Sequence, residues 1–419
     1  MAMVFTVPGL FMAIAEILLS LVSITGNASV YAVLFLGMGL GLMGYAVIKL
    51  IRTLVVGLAP RNDKVVDTLY QARYLRRGPR VVVVGGGTGL STLLRGLKYY
   101  TSNITAVVTV ADDGGSSGIL RGEFDMPPPG DIRNCLVALA DTEPLLERLF
   151  QYRFENGSGF AGHNFGNLFL AAMTKIMGFK GAIREIGKVL AVRGTVLPVT
   201  TDNVRLQAIT ESGEVIWGES KIGASSTRIK ELRLVPADCR VLPDVIEALA
   251  NADAVIVGPG SLYTSILPNL LVPGVSEAIR KSKALKFYVC NIMTQLGETR
   301  DYTAADHLQA VQEHVGGGLF GYVVVNNKPL PADVLARYAQ EGAAPVKIDR
   351  ERLRSQRVRI IEDNLVHIDH VAWHNPEKLA RAIVSRLAAD LERPKRLLDL
   401  LLWESRVQKM QAWEERQNG

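Results

Sequence analysis

Val81-Val82-Val83-Val84-Gly85-Gly86-Gly87-Thr88-Gly89-Leu90-Ser91-Thr92-Leu93-Leu94 is the stretch that decides the fold. Four β-branched apolar residues read as a strand buried on both faces, the glycines break it, and the leucines that follow have helical spacing. A strand that dissolves into glycines at a helix start is suited to phosphate. Glycines let the backbone turn sharply and approach an anion, while unpaired N–H groups and the positive end of the helix dipole face it. A second apolar run, residues 104–110, ends in Ala111-Asp112-Asp113-Gly114-Gly115-Ser116-Ser117-Gly118. One βαβ unit therefore brings glycines, hydroxyls and a pair of carboxylates to a single sheet edge. The pattern is not the dinucleotide fingerprint, because the last glycine of G-x-G-x-x-G counted from Gly85 is Leu90, and the Gly-Lys-Ser/Thr of a P-loop is missing. No NAD is expected. A tight turn without a ligand is the competing reading of these glycines taken alone.

The arrangement recurs at Ala254-Val255-Ile256-Val257-Gly258-Pro259-Gly260-Ser261-Leu262-Tyr263-Thr264-Ser265. Strand ends of an open parallel sheet share one edge, with ligands in the crevice outside it. Polar loops after the apolar runs at 288–290 and 323–325 should join the same cleft. Between these units, Pro127-Pro128-Pro129-Gly130-Asp131-Ile132-Arg133-Asn134 places Asp131 as N-cap of a helix over 132–140. Gly162-His163-Asn164-Phe165-Gly166-Asn167 opens a further apolar helix, and its polar side chains either meet a sugar or phosphate or satisfy the loop. Residues 189–241 read as a β-rich insertion over the crevice, with strands at 196–199, 205–209 and 214–218. The expected fold class is α/β: a Rossmann-like, mostly parallel sheet over residues 80–390 with that insertion.

Ahead of this domain the chain is apolar. Residues 8–25 carry only Glu16 as a charge and residues 28–48 carry none, each close to the roughly 20 residues that a helix needs to cross a bilayer. Lys49, Arg52, Arg61 and Lys64 follow the second run, while the joining Gly26-Asn27 is neutral. The positive-inside rule then puts both termini and the main domain in the cytoplasm. Residues 1–50 are thus expected to form a transmembrane helical hairpin at the cell membrane, with two spans, Gly37, Gly39, Gly41 and Gly44 permitting close packing. Residues 51–79 are expected to be a basic juxtamembrane linker, its cations either facing anionic lipid or simply solvated. Residues 391–419 are expected to be a C-terminal helical tail, continuing an amphipathic helix with Leu379, Ile383, Leu387 and Leu391 at helical spacing; its apolar face either packs on the domain or pairs in a homo-oligomer.

The net charge of +6 gathers in the linker and in residues 347–359 without interleaved aromatics, which argues against nucleic acid. Cys135, Cys239 and Cys290 are widely spaced and suit a reducing compartment better than a disulfide framework. His367, His370 and His374 would not converge if 366–374 is a strand, so no zinc is expected.

The glycine blocks at 85–91 and 258–269, the Asp112-Asp113 block, the Pro127 to Asn134 block and Asn291-Ile292-Met293-Thr294-Gln295-Leu296-Gly297-Glu298-Thr299 resemble the bacterial gluconeogenesis-factor (YvcK-like) family. That family lies within the CofD-like, 2-phospho-L-lactate transferase superfamily. The resemblance runs over roughly residues 80–385. It implies a domain that binds a nucleoside-diphosphate-linked ligand. In the regulatory branch the ligand is a UDP-sugar of the UDP-N-acetylglucosamine type, and the role lies in carbon metabolism, cell shape and envelope synthesis. In the transferase branch a Mg²⁺-dependent enzyme moves phospholactate from a guanosine diphosphate carrier to a deazaflavin alcohol.

On this sequence, Gly86, Gly87, Thr88, Gly89, Gly258, Gly260 and Ser261 would cradle phosphates, and Asn167, Asn291 and Thr294 would contact sugar or base. Asp112 and Asp113 would hold Mg²⁺ and are the catalytic candidates, although Asp112 also suits a ribose hydroxyl. The expected function is a membrane-tethered nucleotide-sugar regulator; the alternative is a Mg²⁺-dependent transferase acting on a nucleoside diphosphate donor. The chain departs from the regulatory branch at 162–167, where Gly-His-Ser-Leu-Gly-Asn is usual, and in its N-terminal extension.

Overall fold

In the computed structural model the described residues are 75–390, apart from 142, 143, 158 and 370, together with residues 20, 37, 39, 41–46 and 49. The chain divides into two units, Met1–Gln71 and Ala72–Gly419. The strands of the second unit are β1 (Val81–Gly85), β2 (Ile104–Val108), β3 (Thr195–Pro198), β4 (Arg205–Thr210), β5 (Val215–Trp217), β6 (Ile229–Val235), β7 (Ala254–Val257), β8 (Leu285–Val289), β9 (Tyr322–Asn326), β10 (Arg359–Asp363), β11 (Val366–Ile368) and β12 (Ala372–His374). Its helices begin with α1 (Gly87–Leu97), α2 (Gly115–Phe124), α3 (Gly130–Leu139), α4 (Pro144–Gln151), α5 (Phe165–Met177), α6 (Phe179–Val189) and α7 (Glu219–Gly223). They continue with α8 (Pro243–Asn251), α9 (Leu267–Leu270), α10 (Val275–Lys281), α11 (Ala304–Val315), α12 (Ala332–Gln340), α13 (Arg350–Ser355) and α14 (Pro376–Asp390).

Seven strands form one sheet in the order β10-β9-β8-β7-β1-β2-β3, and every neighbouring pair in it is parallel. From β1 the chain builds outward through β2 and β3; from β7 it builds the opposite way through β8, β9 and β10. The strand order therefore reverses between β1 and β7, the position at which open α/β sheets leave a crevice. Both glycine turns fall there. The all-apolar strands follow from covering both faces. Val82, Val84, Val107, Val255, Val257, Val323 and Val325 enter one core, and Val81, Val83, Ala106, Val108, Ala254, Ile256 and Val324 enter the other. Each fully buried valine contributes on the order of 1.5–3 kcal/mol.

The insertion is smaller than the sequence suggests. β4, β5 and β6 form a separate antiparallel sheet in the order β5-β4-β6, and Leu206, Ala208, Leu232 and Leu234 pack it on the first core. The strand expected at 196–199 lies outside it: β3 is the edge of the main sheet, paired with β2 from Thr105↔Thr195 to Val108↔Pro198. A four-residue apolar strand looks alike in either setting.

Leu379, Ile383 and Leu387 of α14 are fully buried in the second core with Leu90, Leu93, Leu94 and Leu97 of α1. A Cβ on Gly96 would run into the Pro376 carbonyl, so the two helices cross at a glycine. The apolar face that suggested pairing is consumed inside the chain, which removes the basis for a homo-oligomer. The tail expected at 391–419 lies outside the described residues.

The transmembrane hairpin is also corrected. Among the described residues no helix is long and apolar enough to cross a membrane, and most of residues 8–48 lie outside the described residues. That expectation rested on apolar length and on the Lys and Arg residues after the second run, against the cost of Glu16 in hydrocarbon. The two-span cell-membrane location and lipid contact through a hairpin fall with it. Most of the linker expected at 51–79 likewise lies outside the described residues.

Two glycines of the domain respond oppositely to a methyl group. A Cβ on Gly89 would sit 2.6 Å from the Pro259 carbonyl oxygen, whereas one on Gly122, inside α2, meets nothing within 4 Å. Gly89→Ala should lower stability by about 1–3 kcal/mol through forced separation of the two glycine turns, and Gly122→Ala should raise it by about 0.5–1 kcal/mol. Denaturant unfolding of the two variants checks both signs.

Candidate functional site

The first glycine turn closes over the second. Gly86 is extended at φ −165° and ψ 176° as the residue before α1, and Gly87 adopts φ +66°, a left-handed conformation that favours glycine. A Cβ on Gly86 would lie 2.5 Å from Thr109 Cγ2 and 2.6 Å from an Asp131 carboxylate oxygen; one on Gly260 would lie 3.4 Å from the Gly86 carbonyl. The Gly258 N–H donates to the Val84 carbonyl at 2.9 Å. Asn269, fully buried, donates to the Gly85 and Ser265 carbonyls at 3.0 and 2.8 Å. Side chains are excluded where the turns meet, and backbone is what faces the cleft.

The cleft has a volume of about 700 Å³ and is lined by Gly86, Gly87, Thr88, Gly89, Gly260, Ser261, Asn291 and Thr294 among the residues expected from sequence. Several are held by bonds of their own. Asn291 clamps Gly260 from both sides, accepting from its N–H at 3.2 Å and donating to its carbonyl at 2.9 Å. Thr294 exchanges bonds with Ala344, its N–H to the carbonyl at 2.7 Å and its Oγ1 accepting at 2.9 Å. Gln295 Nε2 donates to Ser261 Oγ at 2.9 Å. Gly258 serves the turn itself at φ +86°, with room for no Cβ beside the Val289 carbonyl.

Asn167 is not among the lining residues. It is buried at the start of α5 and donates to Ser116 Oγ at 3.3 Å, in a knot with His163 and the Asn164 cap. The loop after β9 does not join the cleft either: Asn326 is occupied by Lys328 and Leu365.

Across from the glycines lies an acidic group. Asp131 is within the first turn of α3 rather than its N-cap, which is Pro129. Its carboxylate accepts a hydrogen bond from the Gly87 backbone and is pushed up to about 6 by burial first and by the charge of Asp112 second. Glu219, at the start of α7, is pushed further, to about 9, by burial and then by Asp112 and Asp131, and it shares a hydrogen bond with Asp112. Asp113 is spent differently: its Oδ1 accepts from Ser220 N–H at 2.9 Å and Ser220 Oγ at 2.8 Å, and so fastens α7 in place. Asp131, Glu219, Asn134, Tyr338, Trp373 and His374 also line the cleft and were missed as ligand-facing by the sequence reading. Trp373, 48% exposed, arrives on the β11–β12 hairpin. That hairpin replaces the single strand expected at 366–374.

The fit of Mg²⁺ follows from these roles. Among the described residues no group of three or more His, Cys, Asp or Glu side chains is arranged to hold a metal by itself. Magnesium, however, usually takes one or two carboxylates and completes its shell with substrate phosphates and water. Asp131 and Glu219 meet that requirement opposite a phosphate turn; Asp112, outside the cleft lining and accepting from the Gly114 N–H at 2.9 Å, adjoins them through its hydrogen bond with Glu219, while Asp113 is committed to α7.

Residues 81–366 match the family model described as 2-phospho-L-lactate transferase CofD. The chain is 54% identical over 306 residues to the gluconeogenesis factor of Halalkalibacterium halodurans, covering 73% of this chain and 95% of that one. It is 50% identical over 311 residues to the gluconeogenesis factor of Bacillus subtilis, covering 74% and 98%. A crystal structure of a Bacillus halodurans protein superposes with a TM-score of 0.72 at 53% identity, covering 74% of this chain and all of that one. The fold and cleft thus define a Rossmann-like α/β protein whose switch point is built from two abutting glycine turns. The chain belongs to the gluconeogenesis-factor family, related to CofD.

The expectation of a membrane-tethered UDP-sugar regulator is corrected, since among the described residues no helix is long and apolar enough to cross a membrane. Of its three sugar- or base-contacting residues, Asn167 is away from the cleft, while Asn291 and Thr294 are engaged by Gly260 and Ala344. The matching family model is named for a transferase.

The raised carboxylates carry a pH signature. A carboxyl whose folded pKa lies above its unfolded value, near 4.3 for Glu, holds a proton in the native state that the unfolded state has lost, so stability falls as pH rises from there through about 9 for Glu219. Glu219→Gln should therefore raise the melting temperature at pH 8 and leave it nearly unchanged at pH 4. Thermal unfolding of wild type and variant at the two pH values checks the difference.

Proposed function

We propose that the cleft is the site of a CofD-type transfer, in which a donor of the nucleoside-diphosphate class lies with its phosphates on the glycine turns, beside an acidic group that would hold a Mg²⁺ ion. The observation that carries this reading is the apposition of backbone N–H groups at the start of α1 to carboxylates that burial and mutual repulsion hold above their ordinary range. Such carboxylates gain most from a cation, and the cation gains most where phosphates complete its shell. When bound, Mg²⁺ would neutralise charge on the diphosphate as the transferred group leaves. Asp131 and Glu219 would hold it, with Asp112 adjoining them through Glu219.

The chain's own groups divide the remaining work. The Gly86–Gly89 turn and Ser261 receive phosphate oxygens, with Asn291 and Gln295 fixing the second turn so that its N–H groups stay oriented. Trp373 offers an exposed ring at the cleft for a planar group to stack on. The acceptor that the family resemblance implies is a deazaflavin alcohol. The relatives' name, gluconeogenesis factor, supports a setting in gluconeogenic metabolism.

Asp131→Asn gives the reading a crossing signature. Without metal, loss of a carboxylate beside the phosphates should tighten binding of guanosine diphosphate, by about ten-fold for a like-charge term of order 1–2 kcal/mol. With Mg²⁺ the same variant should bind more weakly than wild type. Calorimetric titration with and without Mg²⁺ checks the crossing, and a variant that changes affinity in the same direction under both conditions would count against a cation on the acidic group. Incubation with a donor in which phospholactate is joined to guanosine monophosphate through a diphosphate bond, together with a deazaflavin alcohol, followed by mass spectrometry for the phospholactate ester and the released guanosine monophosphate, tests transfer itself; binding without product would reduce the reading to ligand binding.

A further inference from the structure

A second chamber of about 420 Å³ opens beside the cleft, sharing Thr88, Thr92, Asn134, Trp373 and His374 with it. Its chemistry is the opposite of the acidic group. Arg95, Arg133 and Arg153 line it, and no carboxylate does among the described residues. Arg133 is the telling residue. It projects from α3, two residues beyond Asp131, and its stem passes over Gly166, where a Cβ would lie 2.8 Å from Arg133 Cδ and 2.6 Å from the Phe150 carbonyl. Among the described residues the guanidinium donates once, through Nη2 to Asn134 Oδ1 at 2.6 Å. Its Nε is buried without a partner, and Arg133 makes no ion pair among the described residues. Arg153 adds a second positive charge, and among the described residues its guanidinium bonds to the Gly162 carbonyl at 2.5 Å and to no carboxylate.

A half-buried guanidinium whose Nε is a buried, unused donor is costly, since its fork is built for bidentate bonds to a carboxylate or phosphate. Burial first and the charge of Arg153 second lower Arg133 to about 10, with Asp131 and Asp112 opposing. It therefore stays charged at neutral pH beside a like charge. Arg95 reaches a carboxylate only at 4.0 Å, to Glu147 at the surface.

We propose that this chamber is a second anion subsite, in which Arg133, with Arg153 at its rim, receives a phosphate-type group separate from the one on the glycine turns. Its three arginines are not among the residues that line the cleft, so the phosphate test below stands or fails independently of the transfer reading. The group is either free inorganic phosphate or the phosphate of a ligand whose other end enters the cleft through the shared wall.

The test uses the full chain without metal or nucleotide. Inorganic phosphate should protect Arg153, which is exposed, from phenylglyoxal in a saturable manner read by peptide mass spectrometry. Arg133→Gln should weaken that protection at least ten-fold, as loss of a charged hydrogen bond of about 1.5–3 kcal/mol requires, and Arg133→Lys should restore part of it. If Arg133→Gln does not fold by circular dichroism, Arg153→Gln decides: phosphate affinity measured by calorimetry should fall several-fold. Unprotected Arg153 in wild type, protection unchanged in Arg133→Gln, or unaltered affinity in Arg153→Gln would overturn the proposal. Repeating the protection with guanosine diphosphate and Mg²⁺ separates the sources: additive binding marks free phosphate, and exclusion marks the phosphate of a ligand spanning both chambers.

Discussion

The contact between the two glycine turns is the constraint on which the rest depends. β1 and β7 are adjacent in the sheet but far apart in the chain, and their C-terminal ends meet where strand order reverses. For both turns to occupy that crevice, each must be free of side chains on its inner surface: Gly86 against Thr109 and Asp131, Gly89 against Pro259, Gly260 against Gly86. The bond from Gly258 to Val84 and the Asn269 bridge to Gly85 then fix the register of one turn on the other. What remains exposed is backbone, which is the surface a phosphate needs.

That surface sits between two opposite fields on one helix. Asp131 and Arg133 both leave the first turn of α3, one toward the glycines and the other toward the arginine chamber. On the acidic side, Asp131 takes the Gly87 hydrogen bond, and Glu219 and Asp112 share another, so protons and backbone bonds relieve the repulsion. On the basic side, among the described residues, Arg133 has the Asn134 bond and the charges of Asp131 and Asp112, but its Nε has no partner. The acidic and basic walls adjoin through shared residues, and α7, fastened by Asp113 to Ser220, is the part of the insertion that completes the acidic side.

The elements with local signatures were legible in the sequence. The alternation of faces in Val81-Val82-Val83-Val84, the glycine breaks and the leucine-spaced α1 are decided within about a dozen residues, and the structure places most of the expected phosphate-facing residues on the cleft. Residues brought from a distance were not legible. Glu219 reaches the site only because Asp113, more than a hundred positions earlier, accepts hydrogen bonds from Ser220. Trp373 and His374 depend on a hairpin that looked like one strand, since Asp369 and its neighbours carry no glycine or proline turn signal. Asp131 after a Pro-Gly pair fits a helix cap equally well, and only the neighbouring Gly86 turn makes it a cleft residue. In the N-terminal segment, apolar length and flanking charge overreached.

The central claim, that glycine turns and acidic group form one metal–diphosphate site, is tested most directly by a crystal structure of the chain with guanosine diphosphate and Mn²⁺, located by its anomalous signal. The account predicts one Mn²⁺ peak bonded to Asp131 or Glu219, with the diphosphate on the Gly86–Gly89 backbone. A diphosphate bound away from those glycines, or Mn²⁺ bound without either carboxylate, would contradict it.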